Sequence, residues 1–267
     1  MLNRSGESAL ASVLGAHQLR ARITDDTTYC GRWRDREPQT AHATFHLMAA
    51  GKCLIEAAVL ERTVELEAGD LIIFTRGAAH TLCNVSLPGG EPEAQDAVML
   101  CGELDFATGT RNPVLDALPD CFVVRGRDSE TQFAQLAHLM CAVSRAQTFG
   151  RQVVLDKLAD ALFVMGLRHH INQTPNPRGL LAALLDAKLA LALDAMHTRL
   201  GQDWTVTRLA EVACMSRTAF ALRFSEVIGL SPHQYLTETR MTEALRLLKD
   251  PRLSTAAISG KLGYQSE

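Results

Sequence analysis

No stretch of the 267 residues approaches the ~18 consecutive apolar positions that would cross a bilayer, so membrane-embedded classes drop out. Met1 to Ala16 lacks a basic start followed by an apolar core, and the chain is therefore expected to act in the cytoplasm. Cysteine is present without a framework. Seven residues, an odd number with no CxxC pair, argue against structural disulfides and suit a reducing compartment. A charge excess of one sign is missing too. The net charge is -3, and from Gly201 onward eight Lys/Arg face seven Asp/Glu, so charge alone gives only a weak nucleic-acid footprint. With 47% hydrophobic and 21% charged residues the composition is that of a soluble globular protein, neither disordered nor coiled coil, and the length suits two domains.

What is there centres on Trp204 to Pro232. Thr205 can cap a helix whose Leu209, Val212 and Ala213 fall at helical spacing, and Cys214 with Met215 makes a turn. Ser216 can cap the next helix, where Phe220, Phe224 and Ile228 recur every fourth residue as one buried stripe. Gly229 ends that helix; Ser231 and Pro232 start another. Taken alone, the segment reads equally as a helix-turn-helix or as an ordinary helical hairpin. A repeat decides between them. Shifted by forty-nine positions, Leu209, Ala210, Ala213, Cys214 and Met215 fall on Ile258, Ser259, Leu262, Gly263 and Tyr264. Between the copies, Tyr235, Leu236, Met241, Ala244, Leu245 and Leu248 lie in the register of a rigid helical spacer.

The string LAxxAxMSRxxFxxRF, followed by GLSPxxYL, RMxxALxLL and LGYxSE, resembles the DNA-binding domain of AraC/XylS transcriptional regulators over about the last quarter of the chain. The resemblance implies base contacts from Arg217, Thr218 and Ala221, with Leu222 standing where the family often has a DNA-touching arginine. Arg223 is expected near a phosphate or packed within the domain. Ser259 and Gly260 replace the usual alanine, which weakens the second unit by about 1 kcal/mol. The copy of the second recognition helix maps beyond Glu267, so that unit is expected to be cut short.

Upstream, short strand-like runs separated by turn residues read as a small antiparallel barrel: Thr28 to Trp33, Ala43 to Met48, Cys53 to Ala58, Val64 to Leu66, Leu71 to Phe74, His80 to Val85 and Ala97 to Phe106. LIIF at 71–74 is apolar without alternation and is expected to be buried on both faces. Ile23 to Phe106 is similar to a reduced cupin. Gly69, Gly77, His80 and Asn84 meet the second cupin motif with Thr75 in place of its proline, while the first motif survives only as His42, His46 and Glu56. Cupins commonly hold a divalent transition metal, so His46 and His80, with His42 or Cys83 as a third donor, are candidate ligands; the other reading is hydrogen-bonded barrel histidines. Cys83 and Cys101, at the ends of neighbouring strand candidates, are redox candidates by similarity to oxidant-sensing relatives that react with hypochlorous acid; inert packing is the other reading.

Ser5 to Ala21 reads as a leading helix. After Pro119 the pattern is helical throughout, with amphipathic helices over Thr131 to Arg145 and Gln152 to His170 that either form a homodimer interface or pack on their own barrel. His169 and His170 read as a helix C-terminal feature. NQTPNPRG at 172–179 is the linker. The expected organisation is α+β: residues 1–171 a cupin-like sensor and dimerisation domain, and 180–267 an all-α helix-turn-helix domain led by a helix over Leu180 to Leu200. The expected function is a sequence-specific regulator, an activator or a repressor, that reads double-stranded promoter DNA and contacts RNA polymerase. A metal-dependent cupin enzyme with a helical appendage is the competing class, and a non-DNA-binding interaction protein is a third.

Overall fold

The computed structural model describes residues 4–17, 19–84, 96–106, 112–146 and 148–264; Gln18, Val85, Ser266 and Glu267, which the sequence reading used, lie outside them. Two compact units emerge: Arg20–Asp105 with Leu118–Gln173, and Met1–Leu19 with Phe106–Ala117 and Thr174–Glu267.

The first unit is an antiparallel double-sheet barrel. Its strands are β1 (Leu19–Tyr29), β2 (Arg34–Glu37), β3 (Ala43–Ala50), β4 (Lys52–Ala57), β5 (Val64–Glu67), β6 (Leu71–Phe74), β7 (His80–Cys83), β8 (Ala97–Phe106) and β9 (Cys121–Val124). One sheet runs β1-β8-β3-β6-β9 and the other β2-β7-β4-β5. Met48, Ile72, Phe74, Met99 and Cys101 from the first sheet and Cys53, Ile55, Leu66 and Leu82 from the second share one core.

All four side chains of β6 are buried, as the lack of alternation predicts. Ile72 and Phe74 enter the barrel core, while Leu71 and Ile73 face Gly166 of α4 (Arg151–Gln173). A Cβ at Gly166 would stand 3.3 Å from Leu71 Cδ2, so glycine lets that helix approach the sheet. Each fully buried aliphatic or aromatic side chain contributes about 1.5–3 kcal/mol of transfer free energy. The expected pair of amphipathic helices is α3 (Thr131–Arg145) and α4, packed on one another.

Two strand expectations need correction. Thr28 to Trp33 is not one strand, because Gly31 takes φ +65° and separates β1 from β2. The region after Pro119 is not helical throughout: β9 is a strand paired with β6, with Phe122 and Val124 buried on the α4 side and Cys121 and Val123 packed on the barrel core.

The second unit is helical: α1 (Arg4–His17), α2 (Pro113–Asp116), α5 (Gly179–Leu185), α6 (Ala187–Thr198), α7 (Val206–Val212), α8 (Arg217–Ile228), α9 (Pro232–Leu247) and α10 (Thr255–Lys261). The leading helix ends at His17 and belongs here, not with the barrel. Its buried stripe of Ala9, Leu10 and Val13 packs on α6, and Ser8 and Ser12 donate to Asp194 at 3.0 and 2.8 Å. The helix expected over Leu180 to Leu200 is two helices, since Asp186 leaves helical geometry and caps α6 by accepting from Lys188 N and Leu189 N. Trp204 anchors the following turn, donating from Nε1 to Arg199 O at 3.0 Å under the Arg199 guanidinium. No helix among the described residues is long and apolar enough to cross a membrane.

Candidate functional site

The forty-nine-residue repeat is visible in the backbone. Thr205 caps α7 through Arg208 N, and its counterpart Ser254 caps α10 through Ala257 N. Ala213 N bonds Leu209 O as Leu262 N bonds Ile258 O, both at 3.0 Å. The turns match as well. Cys214 has φ 52° and Gly263 φ 78°, and each is followed by the same reverse bond, Met215 N to Ala210 O at 2.9 Å and Tyr264 N to Ser259 O at 3.0 Å.

Ser216 then caps α8 through Ala219 N, and Gly229 closes it at φ 81°. Phe220 and Phe224 are fully buried, which turns the opposite face of α8 outward: Arg217, Thr218, Leu222 and Arg223 are exposed and Ala221 is half-buried. Arg223 is committed elsewhere. Its Nε lies 2.6 Å from Asp186 Oδ2, tying α8 to the carboxylate that caps α6. Partial burial raises the Asp186 pKa, but Arg223 and the two capping amides outweigh it and hold the carboxyl below its ordinary value. The connector α9 starts with a capping box between Ser231 and Gln234 and with Pro232 in its first turn.

Inside the barrel, His46 on β3 stands opposite Cys101 on β8 in the strand register. Its Nδ1 lies 3.0 Å from Cys101 Sγ and its Nε2 2.7 Å from His80 Nε2. His80 Nδ1 lies 2.7 Å from the Ala78 carbonyl, and its ring stacks on Phe74 at 4.1 Å. The carbonyl can only accept, which fixes every proton in the neutral chain. His80 Nδ1–H donates to Ala78 O, His46 Nε2–H donates to His80 Nε2, and the Cys101 thiol donates to His46 Nδ1. Burial, reinforced by His80, pulls the His46 pKa down to about 3; burial also lowers His80. The Cys101 thiol is pushed well up by burial and then by Asp25, Glu37 and Asp35, so the resting group is S–H.

These donors do not fit a cupin metal centre. The two Nε2 atoms are as close as a hydrogen bond, Cys101 lies on the far nitrogen of His46, and among the described residues no three His, Cys, Asp or Glu side chains converge on a point that could hold a metal ion. His42 is exposed beside Asp105, and Glu56 pairs with Arg34. Cys83 and Cys101 lie on strands of different sheets, contrary to the neighbouring strands expected, and the thiol of Cys83 is raised by burial and by Glu56. Asn84 has a scaffold role, donating to Gly31 O and accepting from Trp33 N.

A cupin family model matches residues 8–172, more than half of the chain, and a helix-turn-helix domain model matches residues 209–267. A putative AraC-like transcription regulator of Streptomyces lividans is 27% identical across 97% of this chain and 91% of its own length. The HTH-type transcriptional regulator AlkR of Acinetobacter baylyi is 30% identical across 75% of this chain and 73% of its own. The chain belongs to the AraC family.

As an AraC-family protein it is a DNA-binding transcriptional regulator in which a cupin-like sensing domain precedes the helix-turn-helix domain. The structure brings Arg217 and Thr218 together on one exposed turn and joins His46, His80 and Cys101 in one chain, but leaves His42 and Cys83 outside that chain. Sequence reasoning missed the partnership of Arg223 with Asp186 and a second histidine cluster, His17 and His197 with Tyr235, whose rings meet in the helical unit. The signal for the first was the Asp-Ala-Lys step at 186–188, an N-cap inside an apparent helix.

Proposed function

We propose that α8 reads promoter DNA in the major groove through Arg217 and Thr218, with Ala221 and Leu222 beside them and Arg223 holding the helix in place. The observation that carries this is the exposure of Arg217 and Thr218 on the first turn of α8 while Phe220 and Phe224 anchor its other side. Arginine reads guanine through two acceptors, and the threonine methyl can meet thymine. Footprinting the chain on the DNA upstream of its own gene tests the reading: protection lost in Arg217→Ala and kept in Glu226→Ala supports it, and equal protection by both variants refutes it.

The protein acts in the cytoplasm as a homodimer, for which Phe149, Val153, Val154 and Leu139 at the exposed face of α3, α4 and their connection supply apolar surface. The barrel is a sensor and not a catalyst, because its donor set lacks the carboxylate and the convergent geometry that cupin chemistry requires. Its signal is received at the Cys101–His46–His80 chain. Cys101 has an imidazole acceptor 3.0 Å from its sulfur, so a two-electron oxidant such as hypochlorous acid can add its hydroxyl oxygen to the sulfur while chloride leaves and the thiol proton passes to His46 Nδ1. Burial keeps His46 neutral, so the proton passes on to solvent, and what remains is a larger, polar S–OH group in place of the thiol inside the barrel core, which disfavours its resting packing.

A further inference from the structure

The helical unit contains a cavity of about 420 Å³ that the DNA-reading face does not use. Its walls come from the end of α1, from α2 and α5, from Ile228 at the far end of α8, and from α9, the connector between the two helix-turn-helix units. His17, the last residue of α1, lines it with only 2% of its surface exposed, and neither of its ring nitrogens has a hydrogen-bond partner among the described residues. A buried imidazole with both nitrogens unmet is costly unless something supplies a donor and an acceptor. The ring beside it repeats the pattern. His197, 6.3 Å away between centroids, bonds Tyr235 through Nε2 at 2.9 Å but leaves Nδ1 without a hydrogen-bond partner among the described residues.

The chemistry of the walls selects an occupant. Burial lowers the His17 pKa to about 4, so the ring is neutral and presents one donor and one acceptor. Asp116 and Glu238 line the same cavity and oppose an anion. Met241 and Leu245, which helical periodicity would assign to packing, are 45% and 50% exposed at its edge, where an apolar body would cover them. We infer that this cavity is a ligand site for an uncharged, mostly apolar molecule with one hydroxyl or carbonyl head, the head meeting the nitrogens of His17. The volume is in the ordinary range for small-molecule sites. Such an occupant touches α9, so on the DNA reading given above it acts where the two reading units are joined. Binding itself does not depend on that reading.

The test uses the full chain with 15N-labelled histidine, no DNA, and benzyl alcohol as the probe. Benzyl alcohol should move the ring-nitrogen resonances of His17, assigned with His17→Gln, along a saturating curve in the ~millimolar range expected for so small a molecule. Benzoate, of the same shape but charged, should bind at least tenfold more weakly. Leu245→Trp, placed at the exposed rim so that folding is spared, should also weaken the alcohol at least tenfold. A shift that never saturates, an unmoved His17, equal binding of benzoate, or unchanged binding by Leu245→Trp would each overturn the site, whatever the outcome of DNA footprinting.

Discussion

Cys214 and Gly263 occupy the same backbone position in successive helix-turn-helix turns, both with positive φ, 52° and 78°. The first carries a side chain in a region that favours glycine and the second does not. Cys214→Gly should therefore stabilise the chain by about 0.5–1 kcal/mol, the relief of left-handed strain less the extra chain entropy of glycine. Cys214 is exposed, so no packing is lost. At Gly263 the reverse holds, since a Cβ would lie 2.5 Å from the Gly201 carbonyl oxygen, and Gly263→Ala should cost about 2 kcal/mol or more. Thermal unfolding of both variants checks the pair; equal melting temperatures for all three proteins would contradict it.

Arg217 and Arg223 lie on the same helix and should behave differently. Arg217→Ala is expected to cost about 1–3 kcal/mol of operator binding and to relax preference at one base pair. Loss of the same size on random DNA would make it a phosphate contact instead. Arg223→Ala breaks an ion pair with Asp186 and should lower stability by about 0.5–1 kcal/mol while weakening all DNA alike. Fluorescence anisotropy on operator and scrambled duplexes, beside urea unfolding, separates the two.

Much of this was legible in the sequence, for reasons that are local. The repeat is written in residues that act within one turn: a hydroxyl cap at Thr205 and Ser254, a turn at Cys214 and Gly263, a phenylalanine every fourth position in α8. The positions of most barrel strands along the chain and the burial of LIIF followed from the same short-range logic. What was not legible depends on partners distant in sequence. The stripe on α1 says that one face is buried but not against which helix, and β9 is four residues between turns, too short to carry a period. His46, His80 and Cys101 could each be singled out as residue types, but only the strand register sets His46 across from Cys101.

Thiol accessibility bears on the sensor. Cys30 and Cys214 are exposed, whereas Cys53 and Cys101 are buried and Cys53 is pushed up to about 12 by burial. Iodoacetamide at about pH 8 should label Cys214 and Cys30 in the native chain and Cys101 only in denaturant. Hypochlorous acid, small and uncharged below its own pKa, should reach Cys101, and Cys101→Ser should abolish the oxidant-dependent change in DNA affinity while Cys83→Ser leaves most of it. A response that disappears in Cys83→Ser and survives in Cys101→Ser would move the sensor to the other sheet. Chelator treatment should leave operator affinity unchanged.

The exposed apolar residues of the helical pair give a prediction of association. Phe149 lies fully in solvent at the connection between α3 and α4, and Val153 is 66% exposed just after it. Covering such side chains against a second copy contributes about 1.5–3 kcal/mol each. Phe149→Asp with Val153→Asp should shift sedimentation from dimer toward monomer with unchanged melting of the isolated chain. A monomer before mutation, or a dimer unmoved by it, rules out this face.

Acid should unfold the protein through its buried histidines, and the sign follows from their depressed pKa values. His46 and His197 are held down to about 3 and His17 to about 4, all by burial first, whereas in the unfolded chain each titrates near its ordinary 6.5. Above that value both states are neutral and the full stability is present. As pH falls from about 6.5 toward 4, the unfolded chain takes up protons that the fold refuses, so stability drops by up to about 1.4 kcal/mol per pH unit for each such histidine. Below the folded values the loss levels off. Urea unfolding at about pH 7 and pH 5 should show the decline, and His46→Gln should make it shallower by removing one proton-binding site from the unfolded state. A slope that His46→Gln does not change would mean that His46 binds its proton equally in both states, and the neutral Cys101–His46–His80 chain would have to be redrawn with a charged ring.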